Sequence, residues 1–378
     1  MKKVGIICEY NPLHNGHVYH FNKVREESKA DIIILSMSSS FTQRGELNIL
    51  SKFNRTKLAL KLGIDLILEC PTIFSAQEAS LFAYYHVLNL ALAKVDEIWI
   101  GSEENDSSLY PKYLSLIESS EFITKQKEFL NLGCSFKLSF SKALDYFNYT
   151  ELKSNDLLGI YYYQAIQKID KRIKLKTIKR IASDYNSSIL DDSHIQSATA
   201  IRANLEMKDA YIPSYSKKML EQDYLDENKL LPFIKYEITS NNNLNLINEA
   251  SEGLENRLKS IIDSSSFSEA IELLKTKRYS SSKLRRLLFN TLFNISKDDF
   301  NSVKNSFNFI RVLGFNENGK SYLASIKKNT PIYTNIKDGL NPILDIELKI
   351  SKILDIIYNI NLIKLEQKGP ITVKHTTD

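Results

Sequence analysis

Three of the chain's six histidines, His14, His17 and His20, fall within seven residues of VGIICEYNPLHNGHVYHF (Val4 to Phe21), just after the first apolar run. The pattern His14-Asn15-Gly16-His17 sits where a strand should hand over to a helix. A helix N-terminus presents unpaired N–H groups and a partial positive charge, which suits a phosphate. Gly16 has no side chain, so an adenine ring or a phosphate can approach the backbone closely. His14 and His17, three residues apart across the turn, are placed to donate hydrogen bonds to phosphoryl oxygens as charge develops during attack at an α-phosphate. A metal pair is the competing use for two such imidazoles. No Cys, Asp or further His at ligand spacing completes a metal site nearby, so no metal ligand is assigned. His20 lies outside the motif, and on spacing alone it is structural.

The flanking pattern supplies the elements that must position these groups. The run Val4 to Ile7 is stopped by Pro12, which biases Asn11 away from helix. Val18, Phe21 and Val24 then recur at three-residue intervals with Lys23, Arg25 and Glu26 outside, which predicts an amphipathic helix opening on the His-rich turn. Asp31 to Ser36 is an unbroken apolar strand, buried on both faces. A helix over 52–62, closed by Gly63, leads to a strand from Asp65 to Glu69. A long helix from about Ala76 to Ala93 leads to a strand from Glu97 to Gly101. Strand and helix in alternation predict the α/β class: a Rossmann-like parallel sheet with helices on both faces. Ligands bind such sheets beyond the carboxyl ends of the strands, here Glu9, Ser36, Glu69 and Gly101.

Residues 110–147 are helical and polar in pattern, Asn155-Asp156 should cap the next helix, and Leu175 to Ile181 is a basic strand. SATAIRANL (Ser197 to Leu205) starts a further helix. Beyond Pro213, Asn- and Ser-rich loops separate helical stretches. The expected organisation is therefore a domain over 1–208 and a mostly helical C-terminal domain over 209–378, consistent with a length of 378 residues, too great for one ordinary core.

Composition excludes some classes. With 43% apolar and 25% charged residues, the chain has no apolar run approaching the roughly 20 residues of a membrane helix. No secretory h-region opens it, so a cytoplasmic protein is expected. Three widely spaced cysteines, Cys8, Cys70 and Cys134, outline neither a disulfide framework nor a zinc knuckle and are expected reduced and mostly buried. The net charge of +5 is mild. Its distribution is less so: Lys171, Arg172, Lys174, Lys176, Lys179 and Arg180 crowd one span, and Lys275, Lys277, Arg278, Lys283, Arg285 and Arg286 another. Either run alone is as well explained by a solvated face; the two together, each beside Tyr or Ser, favour RNA.

The stretch His14 to His17 resembles the HxGH signature of the nucleotidyltransferase superfamily, and Ser197-Ala198-Thr199-Ala200-Ile201-Arg202 is similar to its second, Ser-Thr-x-Ile-Arg type motif. The resemblance implies the nucleotidyltransferase form of the Rossmann-like fold, with Thr199 and Arg202 on the triphosphate and Arg202 neutralising the leaving pyrophosphate. A narrower resemblance covers nearly the whole chain. EYNPLHNGH, FTQRGE (Phe41 to Glu46), SNDLLGIYY, TIKRI, SATAIR, EGLENRL, TKRYSSSKLRRLL (Thr276 to Leu288) and RVLGF (Arg311 to Phe315) look like the successive motifs of the bacterial tRNA(Met) cytidine acetate ligase family.

That resemblance implies activation of acetate with ATP to acetyl-adenylate and pyrophosphate, then acetyl transfer to N4 of the wobble cytidine of elongator tRNA(Met). It implies an ATP site using the segment Ile7 to His20, including Glu9, Tyr10, Asn11 and Gly16, together with Gly101, Asn155 and Arg180. Gln43, Arg44 and Glu46 would border the acetate or cytidine site. Lys277, Arg278, Lys283 and Arg286, flanking Tyr279, would grip tRNA. A Mg2+ ion would accompany the ATP, held chiefly by its phosphates. The chain departs from the family after TIKRI, where ASDYNSS replaces a glycine-rich, His-containing stretch, so the shape of that loop is not carried over. Two rivals stand beside this family: a small-molecule cofactor adenylyltransferase, usually compact and without need of the second domain, and a non-catalytic RNA-binding scaffold, against which the intact His14, His17, Thr199 and Arg202 speak. Oligomeric state is not specified by the sequence.

Overall fold

β1 (Lys3–Cys8) lies at the middle of the sheet, paired in parallel with β2 (Ile32–Ser38) on one side and β4 (Glu97–Ser102) on the other. The computed structural model describes residues 1–181, 195–251 and 253–373. Among these residues the sheet has eight strands in the order β5-β4-β1-β2-β3-β6-β7, with β8 pairing β6. β3 (Leu66–Cys70) and β5 (Lys174–Lys179) complete a parallel set of β1 to β5. The order reverses beside β1, and the crevice at that switch point is where ligands enter such sheets.

The connecting helices form as their sequences require. α1 (Asn15–Ser28) buries Phe21 and Val24, as the three-residue spacing predicts. α2 (Lys52–Leu62) is capped by Ser51, whose hydroxyl accepts the Asn54 N–H at 3.2 Å, and is closed by Gly63 at φ +108°. The left-handed conformation at that position is one that glycine alone adopts without strain. The long helix expected over 76–93 is two pieces, α3 (Thr72–Ser75) and α4 (Ala79–Leu92). α5 (Leu109–Ile117), α6 (Ser120–Asn131), α7 (Phe136–Tyr146) and α8 (Ser154–Ile169) follow, the last packing on α4. Asn155 and Asp156 do not cap α8, which starts at Ser154. The Asp156 carboxylate instead accepts the backbone N–H groups of Glu103 and Glu104 and the hydroxyls of Ser102 and Tyr110, all within 2.9 Å, and so fixes the turn after β4.

After α9 (Ala198–Ala203) the chain is mostly helical: α10 (Ser214–Asp223), α11 (Leu231–Ser240), α12 (Leu254–Arg257), α13 (Phe267–Leu274), α14 (Ser281–Leu292) and α15 (Lys297–Val303). It then returns to the sheet. β6 (Ile310–Phe315) runs antiparallel beside β3, flanked by the short β7 (Ile332–Tyr333) and β8 (Ile371–Thr372). α16 (Glu317–Ile326), α17 (Pro342–Tyr358) and α18 (Leu362–Gln367) complete the chain. The residues after 208 thus contribute strands as well as helices, and one buried cluster runs from Val4 and Leu35 to Leu284, Leu344 and Leu362.

A buried charge cluster ties this return to the sheet. Lys52 Nζ lies 2.5 Å from Glu69, 3.1 Å from Glu347 and 2.5 Å from Glu366, all at most 1% exposed. Arg311 joins Glu366 at 3.2 Å. The Lys52 ammonium is desolvated, yet the three carboxylates outweigh burial and hold its proton more tightly than usual. This cluster has a consequence for ligand placement. Ser36 and Glu69 were expected at open strand ends, but both are fully buried: Ser36 lies inside β2 against His86 and Asn89 of α4, and Glu69 lies under α17 and α18. Among the described residues the β1, β4 and β5 ends line a common cleft.

Candidate functional site

The open ends of β1, β4 and β5, the start of α1, the loop after β2 and the start of α9 enclose one cleft. Ile7, Glu9, Tyr10, Asn11, His14, Gly16, His17 and His20 line it from the first strand and helix; Gln43, Arg44 and Glu46 line it from the loop; Gly101, Asn155, Arg180, Thr199 and Arg202 complete it. Lys277, Arg278, Lys283 and Arg286 lie outside it.

His14 is the N-cap of α1: its Nδ1 accepts the Gly16 N–H at 3.1 Å, while the His17 Nδ1 accepts the His14 N–H at 3.3 Å. With both Nδ1 atoms accepting, each neutral ring carries its proton on Nε2. The two imidazoles lie against each other with centroids 3.8 Å apart and planes tilted by 33°, and Tyr10 meets His17 edge-on at 4.9 Å. The result is a pair of fixed Nε2–H donors at a helix N-terminus, the arrangement that can stabilise a developing phosphoryl charge. Gly16 also has a nearer reason than ligand approach: a Cβ there would sit 2.9 Å from His14 Cε1 and displace the ring.

The arginines are held from the opposite wall. Arg202, in the last turn of α9, donates to the Asn11 carbonyl and to Glu46, each at 2.7 Å. Arg180 faces Glu103 at 3.5 Å, and Asn155 donates to the same carboxylate. Gln43 donates its backbone N–H to Glu9 at 2.6 Å and its amide to Gln77 at 2.9 Å. Burial pushes the Glu9 carboxyl up, an effect this N–H partly offsets. Burial also raises the Cys8 thiol to about 12, with Glu9 adding to the effect, so it carries no thiolate and serves packing. Cys70 is buried as expected and Cys134 is partly exposed, while Cys8, though its thiol is desolvated, keeps part of its residue surface open at the cleft.

The loop carrying Gln43 to Glu46 rests on α14. Phe41 packs on Phe289 with centroids 4.8 Å apart, and a Cβ on Gly45, at φ +77°, would lie 2.7 Å from the Arg286 backbone nitrogen. Arg286, expected on an RNA surface, is 6% exposed and pairs with Glu249 at 2.6 Å. It lies beside Leu287 and Leu288 on the inner side of the helix, and its charge is spent inside the fold. Lys283 sits over the Tyr279 ring and 3.2 Å from Ser251. Lys277 and Arg278 are exposed, in the turn before α14 rather than in its first turn. The ASDYNSS stretch lies outside the described residues.

Several lining residues were not anticipated. Leu158 and Tyr162 share the α8 face of Asn155, and spacing of three and seven from Asn155 is the signal that would have found them. Ser197 is the N-cap of α9 and also lines the cleft. His20, structural on spacing alone but part of the ATP segment that the family resemblance implies, does line the cleft, and among the described residues its Nε2 has no hydrogen-bond partner. No group of three or more His, Cys, Asp or Glu that could hold a metal ion occurs among the described residues.

Burial holds His14 at about 3, with Arg180 and Arg202 adding to the effect; it holds His20 at about 4 and the enclosed His86 at about 3. Each ring is neutral in the fold and takes up its proton on unfolding. Such a group contributes stability above its unfolded value, near 6.5, and that stability is lost as pH falls toward the folded value. The unfolding temperature without nucleotide is therefore expected to drop between about pH 6.5 and 4, and His20→Asn to make the drop shallower. A flat profile over that window, measured by thermal melts, would contradict neutral burial of these rings.

A family model described as HIGH Nucleotidyl Transferase matches residues 1–368. A tRNA(Met) cytidine acetate ligase of Clostridium perfringens (strain SM101) is 38% identical over 93% of this chain and 94% of its own length. That of Geobacillus sp. (strain WCH70) is 36% identical, covering 88% of each chain. Among solved structures, apo Thermotoga maritima TmcAL superposes with a TM-score of 0.86 at 28% identity, over 99% of this chain and 100% of that one. The same protein bound with alpha-thio ATP gives 0.84 with the same coverage.

Proposed function

As a member of the HIGH nucleotidyl transferase family and, within it, of the tRNA(Met) cytidine acetate ligases, this chain is an ATP-dependent ligase, and we propose how its cleft performs the reaction. ATP binds with its phosphates at the α1 N-terminus. A carboxylate oxygen of acetate attacks the α-phosphorus in line, a P–O bond forms, and the bond to the β-phosphate oxygen breaks. Acetyl-adenylate and pyrophosphate result. The N4 amine of the wobble cytidine of elongator tRNA(Met) then attacks the acetyl carbon, AMP leaves, and N4 gives up a proton to give N4-acetylcytidine.

The observation that carries this reading is the close His14–His17 pair, its Nε2–H donors fixed by backbone N–H groups that donate to both Nδ1 atoms, and set in one cleft with Arg180 and Arg202. Positioning and charge stabilisation suffice for phosphoryl transfer, so no enzyme nucleophile is needed. In their present pairs Arg202 and Arg180 are held by Glu46 and Glu103, poised to turn to the triphosphate. Phe82, Ile100, Leu158 and Ile178 give the cleft an apolar floor that limits hydrolysis of the mixed anhydride. Among the described residues no cluster of carboxylates converges on the cleft, and Glu46 and Glu103 are taken by the arginines, so a Mg2+ ion would arrive on the nucleotide, held chiefly by its phosphates, and would supply further charge neutralisation. The segments after residue 208 would hold tRNA through Lys277, Arg278 and Lys283. With ATP and tRNA as its substrates, the enzyme would work in the cytoplasm. No helix among the described residues is long and apolar enough to cross a membrane.

The first half-reaction is tested by exchange of labelled pyrophosphate into ATP. Exchange that requires acetate supports the proposal. Exchange that ignores acetate but requires a phosphorylated small molecule would return the protein to the cofactor adenylyltransferases.

A further inference from the structure

The basic run 171–180 is not explained by the cleft, which takes only its last members. Its middle forms β5, which among the described residues is an edge strand paired with β4 alone. Successive side chains alternate between faces, so Lys174, Lys176, Ile178 and Arg180 share one side of this strand and its extension. Ile178 and Arg180 line the cleft, while Lys174 and Lys176 are exposed. A single row therefore leads from open surface into the cleft, with two ammonium groups outside and a guanidinium at its mouth. Two residues along a strand span about 6.6 Å, a step comparable to that between neighbouring phosphates of an extended RNA strand.

The row's charges are available. Among the described residues Lys174 and Lys176 make no ion pair, whereas Arg172 is taken by Asp170 at 2.7 Å. Glu97 is the register partner of Lys174, but its carboxylate is occupied by Lys2 at 3.2 Å and the Trp99 indole at 2.8 Å. Edge-strand lysines also serve to discourage pairing with another chain. That role explains their charge but not their placement in line with the cleft.

We infer that Lys174 and Lys176 form a phosphate track for single-stranded RNA, guiding the backbone next to the reacting nucleotide along β5 into the cleft. The inference rests on the proposed tRNA substrate. Its test is the double variant Lys174→Gln/Lys176→Gln, with Lys327→Gln/Lys328→Gln, exposed lysines at the end of α16 beside the opposite half of the sheet, as a charge-matched control. The β5 variant is expected to bind tRNA about tenfold more weakly near 100 mM salt, and its log–log salt slope to fall by about 1.4, two single-strand phosphates' worth. Acetate-dependent pyrophosphate exchange should be unchanged. Wild-type affinity and slope in the β5 variant, or an equal loss in the control, would overturn the track. The edge-guarding role would then show as self-association of the β5 variant in sedimentation. Absence of tRNA binding by the unaltered protein would instead overturn the substrate on which the inference rests.

Discussion

Replacing His17 by Ala is expected to lower acetate-dependent pyrophosphate exchange by about 10²- to 10³-fold, the usual loss when one fixed donor to a developing charge is removed. The side chain is one of two closely packed imidazoles whose Nδ1 already accepts a backbone N–H, so only Nε2–H remains for chemistry. The same truncation also removes an acceptor from the His14 N–H at the helix start, a loss of about 1 kcal/mol. Folding should therefore persist, and thermal melts distinguish the two effects. Near-normal exchange in a folded variant would remove His17 from the mechanism.

Lys52→Met should have the largest effect on stability. Lys52 is at most 1% exposed and faces Glu69, Glu347 and Glu366 within 3.1 Å. Without it, Glu69 and Glu366 keep Arg311, while Glu347 loses its ion-pair partner and keeps only the more distant charge of the buried Arg55. The Glu347 carboxyl is already pushed up by burial; at Glu69 burial acts the same way, but Lys52 and Arg311 outweigh it and hold the group down. Breaking a buried ion cluster by removing one partner costs about 3–5 kcal/mol. Urea unfolding of the variant should show that loss, together with earlier release of α17 and α18 in hydrogen exchange. A loss below about 1 kcal/mol would mean that apolar packing alone holds those helices on the sheet.

The first 200 residues were largely legible because their chemistry is local. The HNGH turn, the Val18–Phe21–Val24 spacing and Gly63 each act within one element, and the structure realises each one. What escaped depends on contacts distant in sequence. Lys52 reads as part of a helix's polar face until Glu347, 295 positions away, is seen to meet it. RVLGF was visible as a motif but not as β6, since Arg311 within it hides a strand buried along nearly its whole length. Arg286 looked like an RNA contact for the converse reason: its partner Glu249 lies on a separate loop. Asp156 resembled a helix cap because Asp favours caps, whereas the turn after β4 offers it more donors.

Acyl transfer to RNA is the central claim, and one measurement addresses it directly: incubation of the purified protein with ATP, labelled acetate and bulk bacterial tRNA, followed by nucleoside mass spectrometry. Labelled N4-acetylcytidine, formed only when ATP and acetate are both present, is the expected result. Cleavage of ATP without any acetylated nucleoside would contradict it.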